Sequence, residues 1–230
     1  MFEELKARVY AQNLLLAKNG LEILPWNNLS AIDRQRGLLV VKPDGVAIEN
    51  LTVDDMLVVD ILTRKVVEGK RRTPSDLATK LYLYEVFPEI ESIVHTYSPY
   101  ATAWAQCGES IPVFGTLHAS SFGGAIPCTR AFKKEEVQKN YEINIGKVIA
   151  EAFATVDYNV VPAVLVKNQT PFVWGATVEK AAENAIALEE VAKTATIMKQ
   201  MGATSPVVEE YLLSKHYPQK SVKAKRVSKK

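Results

Sequence analysis

The spacing of hydrophobic residues along this chain switches between two periods, and each switch marks a change of predicted secondary structure. Apolar residues that recur three or four positions apart predict amphipathic helices. The first helix ends at Asn19 and Gly20. Its apolar face consists of Phe2, Leu5, Val9, Leu14 and Leu16. The same period predicts further helices over 75–88, 100–108, 134–154, 177–201 and 206–216.

Runs of β-branched residues lie between these helices and predict the strands of a sheet. Strands are expected over 37–43, 56–61 and 92–98, and two more, joined by a polar turn, within 161–175. The sequence "KPDG" predicts a turn in which Asp44 and Gly45 tolerate a positive φ. The glycine-rich stretch 115–129 favours a loop over a helix or strand.

Details at the helix ends sharpen these boundaries. Ser75 is expected to cap the helix 75–88, and Thr177 and Gly202 the front and end of the helix 177–201. In the helix 134–154, Val137 is expected to face inward with the other apolar residues. Strands interleaved with helices predict an α/β domain whose sheet is covered by helices on both faces.

Composition supports one domain in a reducing compartment. With 230 residues and 47% apolar content, the chain can bury one sizeable core, assigned to 1–217. The remaining 218–230 form a basic tail, and lysine-rich chain ends more often solubilise a protein than bind nucleic acid or acidic lipid. Two distant cysteines, Cys107 and Cys128, indicate neither a disulfide framework nor a zinc knuckle, which suits the cytoplasm.

Membrane and export segments are not expected either. The start of the chain carries Glu3 and Glu4 and a helical pattern, unlike a signal peptide, and no apolar run approaches about 20 residues. No membrane or nucleic-acid partner is therefore predicted.

Candidate chemistry centres on "SIVHTYS" (92–98), because residues two apart on a strand point to one face. His95 and Tyr97 then project together, whereas a metal site there would call for two imidazoles. The other histidines are His118 in the predicted loop and His216 near the end of the chain. A lone histidine is more often structural than functional. No phosphate-binding loop, dinucleotide fingerprint, HExxH motif or nucleophile elbow is present.

Several short motifs occur together in an order and spacing that resemble one family. They are "PWNNLS" (25–30), "KPDGV" (42–46), "PSD" (74–76), "SIVHTYS" (92–98), "GTLHA" (115–119), "IPCTR" (126–130), "PFVWG" (171–175) and "LLSKHY" (212–217). From Met1 to about Tyr217 the chain resembles the class II aldolase family, specifically its L-ribulose-5-phosphate 4-epimerase branch. The family also contains fuculose-phosphate aldolase and the head domain of adducin.

This resemblance implies a three-layer α/β/α domain with a central, largely antiparallel sheet. It also implies a fourfold homotetramer whose active sites are shared between subunits. Family enzymes use zinc to stabilise an enediolate while a retro-aldol step breaks and remakes the bond between C3 and C4 of a sugar phosphate. Imidazoles and a carboxylate hold the ion, and an acid and a base move the protons.

Part of the family's site is retained in this chain. The resemblance places Asp76 and His95 at metal-ligand positions. It places Asn28, Gly45 and Ser75 at positions that bind substrate, and Lys42 and Thr116 beside them. It assigns catalytic or supporting positions to Glu142 and His216.

Other positions of the site are substituted. Tyr97 and Gln169 stand where the family has metal-binding histidines, and Ser120 replaces an aspartate that gives or takes a proton. At the substrate end, Asp44 and Pro74 replace serines, and Asn27 replaces a glycine. The segment "VKAKRVSKK" stands where the family carries a catalytic tyrosine from a neighbouring subunit.

We interpret these substitutions as the mark of a homologue that is catalytically inactive or repurposed, with zinc absent or weakly bound. Asp76 and His95 alone rarely hold zinc, and Tyr97 is expected to occupy the metal's space. Adducin shows that the family can keep its fold without the enzyme. The alternative is an active metal-dependent epimerase or aldolase that recruits His118 or Tyr97. Engineering of an epimerase would also concentrate changes on the site.

Overall fold

The fold is built on one antiparallel sheet. A computed structural model describes residues 2–22, 25–202 and 208–217, and within them the sheet has seven strands in the order β4-β3-β2-β1-β5-β7-β6. Every strand pair in it is antiparallel. The strands are β1 (Asn28–Asp33), β2 (Leu38–Val41), β3 (Leu57–Asp60), β4 (Val66–Glu68), β5 (Ser92–His95), β6 (Ala163–Leu165) and β7 (Pro171–Gly175).

Helices cover both faces of this sheet. They are α1 (Phe2–Lys18), α2 (Leu77–Val86), α3 (Pro99–Cys107), α4 (Thr116–Ser121), α5 (Lys134–Gln138), α6 (Tyr141–Ala152), α7 (Val178–Gln200) and α8 (Glu210–His216). Helices α1 and α7 pack together and against the central strands, whereas α2 and α6 pack together on the opposite face. This arrangement confirms the three-layer α/β/α prediction and its largely antiparallel sheet.

The face that α2 and α6 cover is fixed by the register of the central strands. Ser30 of β1 lies opposite Ile93 of β5, which lies opposite Trp174 of β7. The Tyr84 hydroxyl of α2 lies 2.9 Å from the Ser30 Oγ. The Trp174 ring contacts Phe87, which follows α2. Because directly opposite residues share one face of the sheet, this row anchors α2 over the middle of the sheet.

Two strands were not predicted from the sequence. Strand β1 alternates apolar and polar residues, but Ser30 is buried because Tyr84 satisfies its hydroxyl. Strand β4 is short and exposed at the edge of the sheet, where pairing with β3 rather than burial defines it. Strand β1 depends on contacts distant in sequence and β4 on its pairing with the nearby β3, and the local residue pattern reports neither.

Several predictions about the helices are wrong. The helix expected over 134–154 is divided into α5 and α6 because Asn140 adopts φ +55° between them, and Val137 is half exposed rather than inward. The stretch expected to be a loop contains the short helix α4. Ser75 does not cap α2: Asp76 holds the cap position and its side chain makes no capping bond.

The predicted end of α3 and the predicted start of α7 agree with the structure, whereas strand β5 ends at His95 and does not extend to residue 98. Gly108 closes α3 in the left-handed conformation, and the Thr177 side chain accepts a bond from Lys180 N at the start of α7. The last predicted helix, 206–216, corresponds to α8. Residues 203–207 and the tail 218–230 lie outside the described residues. None of the described helices has the length and apolar content needed to cross a membrane.

Gly175 sets the separation between the sheet and α7. A Cβ built there would lie 2.5 Å from Ala181 N, a backbone atom that cannot rotate away. We expect Gly175→Ala to lower the free energy of unfolding by about 1 to 3 kcal/mol through overpacking, measured by urea denaturation. Gly115→Ala, where a Cβ meets no atom within 4 Å, is the matched control. Equal stability of both variants would show that α7 can move away from the sheet at little cost in free energy.

Candidate functional site

A cleft of about 350 Å³ opens between the sheet and the start of α2. It lies where β1 begins and β5 ends, and where the turn after β2 and the segment before α2 meet them. Its lining residues are Trp26, Asn28, Asp44, Arg72, Pro74, Ser75, His95 and Tyr97. Six of the sequence-predicted site residues are therefore brought to one cleft, while Trp26 and Arg72 were not predicted.

The floor of this cleft is a cross-strand pair. Asn28 of β1 lies directly opposite His95 of β5, so both side chains point to the face that α2 covers. Phe172 of β7 is opposite His95 on its other side, and the two rings stack with centroids 4.2 Å apart. Strand pairing thus fixes both the position and the plane of the imidazole.

Asp76 connects this floor to α2. Its carboxylate is buried, and one oxygen, Oδ2, lies 2.8 Å from His95 Nδ1 and accepts a bond from Asn28 Nδ2 at 3.1 Å. The same oxygen is 3.3 Å from Lys80 Nζ. These contacts explain why Asp76 does not cap its helix. The other oxygen, Oδ1, is buried without a hydrogen-bond partner, as is Asn28 Oδ1.

Both ring nitrogens of His95 are engaged by protein side chains. Beyond the contact with Asp76, His95 Nε2 lies 2.7 Å from the Thr170 hydroxyl. A carboxylate only accepts, so Nδ1 carries the proton, and Nε2 can accept from Thr170. The lone pair through which this imidazole would bind a metal therefore faces a hydroxyl.

Lys80 is the site residue that sequence reasoning missed. Its side chain is 0% exposed, and its Nζ donates to the Asn28 carbonyl at 3.2 Å as well as contacting Asp76. The spacing from Asp76 to Lys80 was a signal that could have revealed it, because residues four apart on a helix are neighbours. Nothing in the sequence showed that this pair would be buried.

Asp76 and Lys80 each stabilise the charged form of the other. Burial opposes ionisation of Asp76, but Lys80, His95 and Asn28 outweigh it and hold the pKa of that carboxyl well below its usual range. Burial lowers the pKa of Lys80, and the Asp76 carboxylate opposes that shift. We describe the pair as a buried ion pair, since removal of either charge would leave the other uncompensated.

Tyr97 forms a wall of the cleft beside His95. The two ring centroids are 5.4 Å apart, and Trp26 meets the Tyr97 ring edge-on at 5.7 Å. Asn27 Oδ1 accepts the Tyr97 backbone N–H at 3.0 Å, which places Asn27 behind the wall. Burial raises the pKa of Tyr97, as do Asp76 and Tyr141. The phenol therefore stays protonated and lines the cleft without filling it.

The outer end of the cleft carries a charge pair. Asp44 Oδ2 lies 3.3 Å from Arg72 Nε. Gly45 beside it has φ +71°, as the predicted turn requires. Pro74 and Ser75 continue the wall towards Asp76. Arg72 thus offsets the repulsion that Asp44 alone would exert on an anion.

Other predicted residues do not line the cleft. Gln169 donates to the Tyr141 hydroxyl. Lys42 is fully buried, with its Nζ 3.2 Å from the Pro25 carbonyl and 3.6 Å from Glu22. Thr116 lies exposed at the start of α4, and the Glu142 carbonyl accepts the Thr79 hydroxyl at 2.5 Å.

Ser120 and His216 form a separate pair where α4 meets α8. The Ser120 Oγ is 3.4 Å from His216 Nδ1, and neither residue lines the cleft. His118 is buried on α4, where its Nε2 donates to the Gly124 carbonyl at 3.0 Å and its Nδ1 has no partner. It borders a smaller cavity with Phe114 and Val191. His118 is thus not placed to assist His95, contrary to that alternative.

The residues around His95 do not fit a zinc ion. Among the residues that the structure describes, no group of three or more His, Cys, Asp or Glu side chains could hold a metal. Asp76 directs Oδ2 to an ammonium and an imidazole N–H, His95 directs Nε2 to Thr170, and Tyr97 is a neutral phenol. Zinc prefers four ligands from thiolate, imidazole and carboxylate groups.

Comparison with known proteins agrees with the fold. The model of the family described as "Class II Aldolase and Adducin N-terminal domain" matches residues 7–196. The chain belongs to this family of epimerase- and aldolase-like enzymes.

Within the family, it is a homologue of L-ribulose-5-phosphate 4-epimerase. It is 47% identical over 218 residues to the protein of that name, UlaF, from Salmonella paratyphi B, covering 95% of each chain. The UlaF of Salmonella paratyphi C is 48% identical over the same length, again with 95% of each chain covered.

Solved structures share the fold at lower identity. An L-fuculose 1-phosphate aldolase superposes with a TM-score of 0.77 at 22% identity, over 94% of this chain and 95% of the other. The enzyme of the same name from Glaciozyma antarctica gives a TM-score of 0.75 at 20% identity, over 94% and 81%. These similarities extend across the sheet and both helical layers.

Asp76→Asn should destabilise the protein strongly because it leaves the Lys80 charge buried and uncompensated. We expect the free energy of unfolding to fall by about 3 to 5 kcal/mol, measured by urea denaturation at pH 7. Adding Lys80→Met should restore most of that loss. Glu183→Gln, which breaks an exposed pair with Lys180, should change it by less than about 1 kcal/mol. A small effect of Asp76→Asn would argue against a buried ion pair.

His118 should make stability fall in mild acid. Burial lowers the pKa of His118 to about 4 from its ordinary value near 6.5. The unfolded chain therefore takes up a proton first, and stability is lost as pH falls from 6.5 towards 4. The loss approaches about 3 kcal/mol. His118→Gln, which keeps a donor for the Gly124 carbonyl, should flatten the dependence of the urea midpoint on pH relative to wild type. His216→Gln should leave it unchanged.

Proposed function

We propose that this protein binds a small phosphorylated sugar in the cleft and does not carry out zinc-dependent cleavage of a carbon–carbon bond. It would be a repurposed member of its family that acts in the cytoplasm and assembles as a fourfold homotetramer. No nucleic acid is expected as a partner. The observation that carries the proposal is the engagement of both His95 ring nitrogens by Asp76 and Thr170.

Three substitutions support the loss of zinc chemistry together. Tyr97 offers a neutral phenol, and Gln169 is turned to Tyr141. Ser120, which replaces a proton-transferring aspartate, contacts His216. Its hydroxyl lacks the titration range of a general acid or base. The proposed site thus lacks both a Lewis acid and its proton donor.

Binding is supported by the form of the cleft. It is open, and it presents Arg72 for an anion beside the Ser75 hydroxyl and the Asn28 amide. Trp26 is 53% exposed there and forms an aromatic wall with Tyr97, against which the C–H groups of a sugar can pack. The name of the Salmonella relatives suggests L-ribulose 5-phosphate as the first ligand to test.

A second candidate is an active metal-dependent epimerase or aldolase with a remodelled site. It is favoured by the open space beside His95. It would require His95 to release Thr170 and Tyr97 to ionise against its raised pKa. These two costs make it the weaker proposal.

Calorimetric titration with L-ribulose 5-phosphate tests the binding step. We expect saturable binding to the metal-free protein, with L-ribulose binding at least about tenfold more weakly because it lacks the charge that Arg72 attracts. Arg72→Gln should weaken binding of the phosphate by a similar factor. Arg71→Gln is the matched control, since Arg71 pairs with Asp55 outside the cleft. No binding by wild type would contradict the proposed ligand.

Metal content and turnover test the loss of chemistry. We expect the purified protein to contain far less than one zinc per chain, and to form no D-xylulose 5-phosphate from L-ribulose 5-phosphate with or without added zinc. About one zinc per chain together with epimerisation would establish the second candidate instead.

A further inference from the structure

Lys80 is a buried charged side chain, in contact with Asp76 and with the cleft-floor residue Asn28, that the proposed function leaves unexplained. It is fully buried on α2, and its ammonium lies 3.3 Å from Asp76 Oδ2 and 3.2 Å from the Asn28 carbonyl oxygen. Burial of an ammonium is costly unless it is paired and hydrogen-bonded. Both conditions are met here by residues of the cleft floor.

The Lys80 ammonium lies where it would repel a metal ion bound to Asp76. Asp76 Oδ2 contacts the Lys80 ammonium and His95 Nδ1 at the same time. A divalent cation that used Asp76 would therefore lie within a few ångströms of a fixed positive charge. Repulsion at such distances is strong when water is excluded.

The lysine is also held in place. Lys80 lies on α2, which is tied to α6 because the Thr79 hydroxyl bonds to the Glu142 carbonyl. A covalently attached ammonium held in this way cannot exchange with ions in solution. On the other side of His95, the Thr170 hydroxyl bonds to Nε2 and so occupies the nitrogen that could bind a metal ion.

We propose that the Lys80 ammonium is the resident cation of the Asp76–His95 centre, where it balances the buried carboxylate and excludes divalent metal ions. This inference deepens the metal-free part of the proposed function and rests on it. Lys80 acts as a positioning residue: it holds the carboxylate that orients His95 and need not touch a ligand itself.

Cobalt binding tests the inference directly. In the Tyr97→His/Gln169→His background, which supplies two imidazoles, we expect weak Co²⁺ binding while Lys80 is present. Adding Lys80→Met should tighten Co²⁺ binding at least about tenfold, followed by the visible absorption of the bound ion. Lys80→Arg keeps the charge and should give no gain. Lys6→Met, which removes a buried lysine paired with Glu68, is the matched control.

Thermal unfolding provides a second readout if the triple variant does not purify in a folded form. Lys80→Met alone leaves Asp76 without a counter-charge, so Co²⁺ or Mg²⁺ should raise its melting temperature and leave that of wild type unchanged. Lys80→Gln, which keeps a donor, should respond in the same direction.

Three outcomes would overturn the inference. They are equal Co²⁺ affinity with and without Lys80, no Co²⁺ binding by the variant that lacks Lys80, and the same gain from Lys6→Met. None of these outcomes would change the expected binding of L-ribulose 5-phosphate by the wild type. Failure of wild type to bind L-ribulose 5-phosphate would contradict the proposed ligand and leave the cobalt series unaffected.

Discussion

The buried carboxylate of Asp76 is the constraint on which the site depends. A single oxygen is contacted by donors from two layers of the fold, because Asn28 and His95 come from the sheet and Lys80 from α2. The carboxylate therefore joins the helix to the sheet at the point where the cleft forms. A neutral residue at this position would leave an ammonium without its counter-charge in the protein interior.

The layers of the fold could be predicted from the sequence, but the geometry of the site could not. The spacing of apolar residues predicted the long helices and most strands, because this spacing differs between helical and extended segments. It missed β1, whose buried Ser30 is satisfied by Tyr84 more than fifty residues later. It also missed the break at Asn140, where one residue with positive φ divides a continuous apolar pattern.

The site was predictable to the extent that strand pairing and helix spacing bring residues together. His95 and Tyr97 both line the cleft, although β5 ends at His95 and Tyr97 forms the wall beside it from beyond the strand. Asp44 lies in the predicted turn. Thr170 and Arg72 were missed because their partners are distant in sequence. Ser120 and His216, which the resemblance also assigned to the site, contact each other where α4 meets α8 and do not line the cleft of their own subunit.

Three residues around His95, namely Lys80, Thr170 and Tyr97, all disfavour a metal ion there. Chance loss of single ligands is therefore a poor explanation for the proposed metal-free site. A carboxylate and an imidazole that lose their metal would be left with a buried negative charge and an unused lone pair, each costly in an apolar setting. Here Lys80 meets the first need and Thr170 the second, while Tyr97 lines the cleft as a neutral phenol. Because Asp76 Oδ2 and both His95 ring nitrogens are engaged by protein groups, returning one histidine alone would not recreate a metal centre. Under the proposed function, the site is rebuilt around an internal cation and is not simply a zinc site with missing ligands.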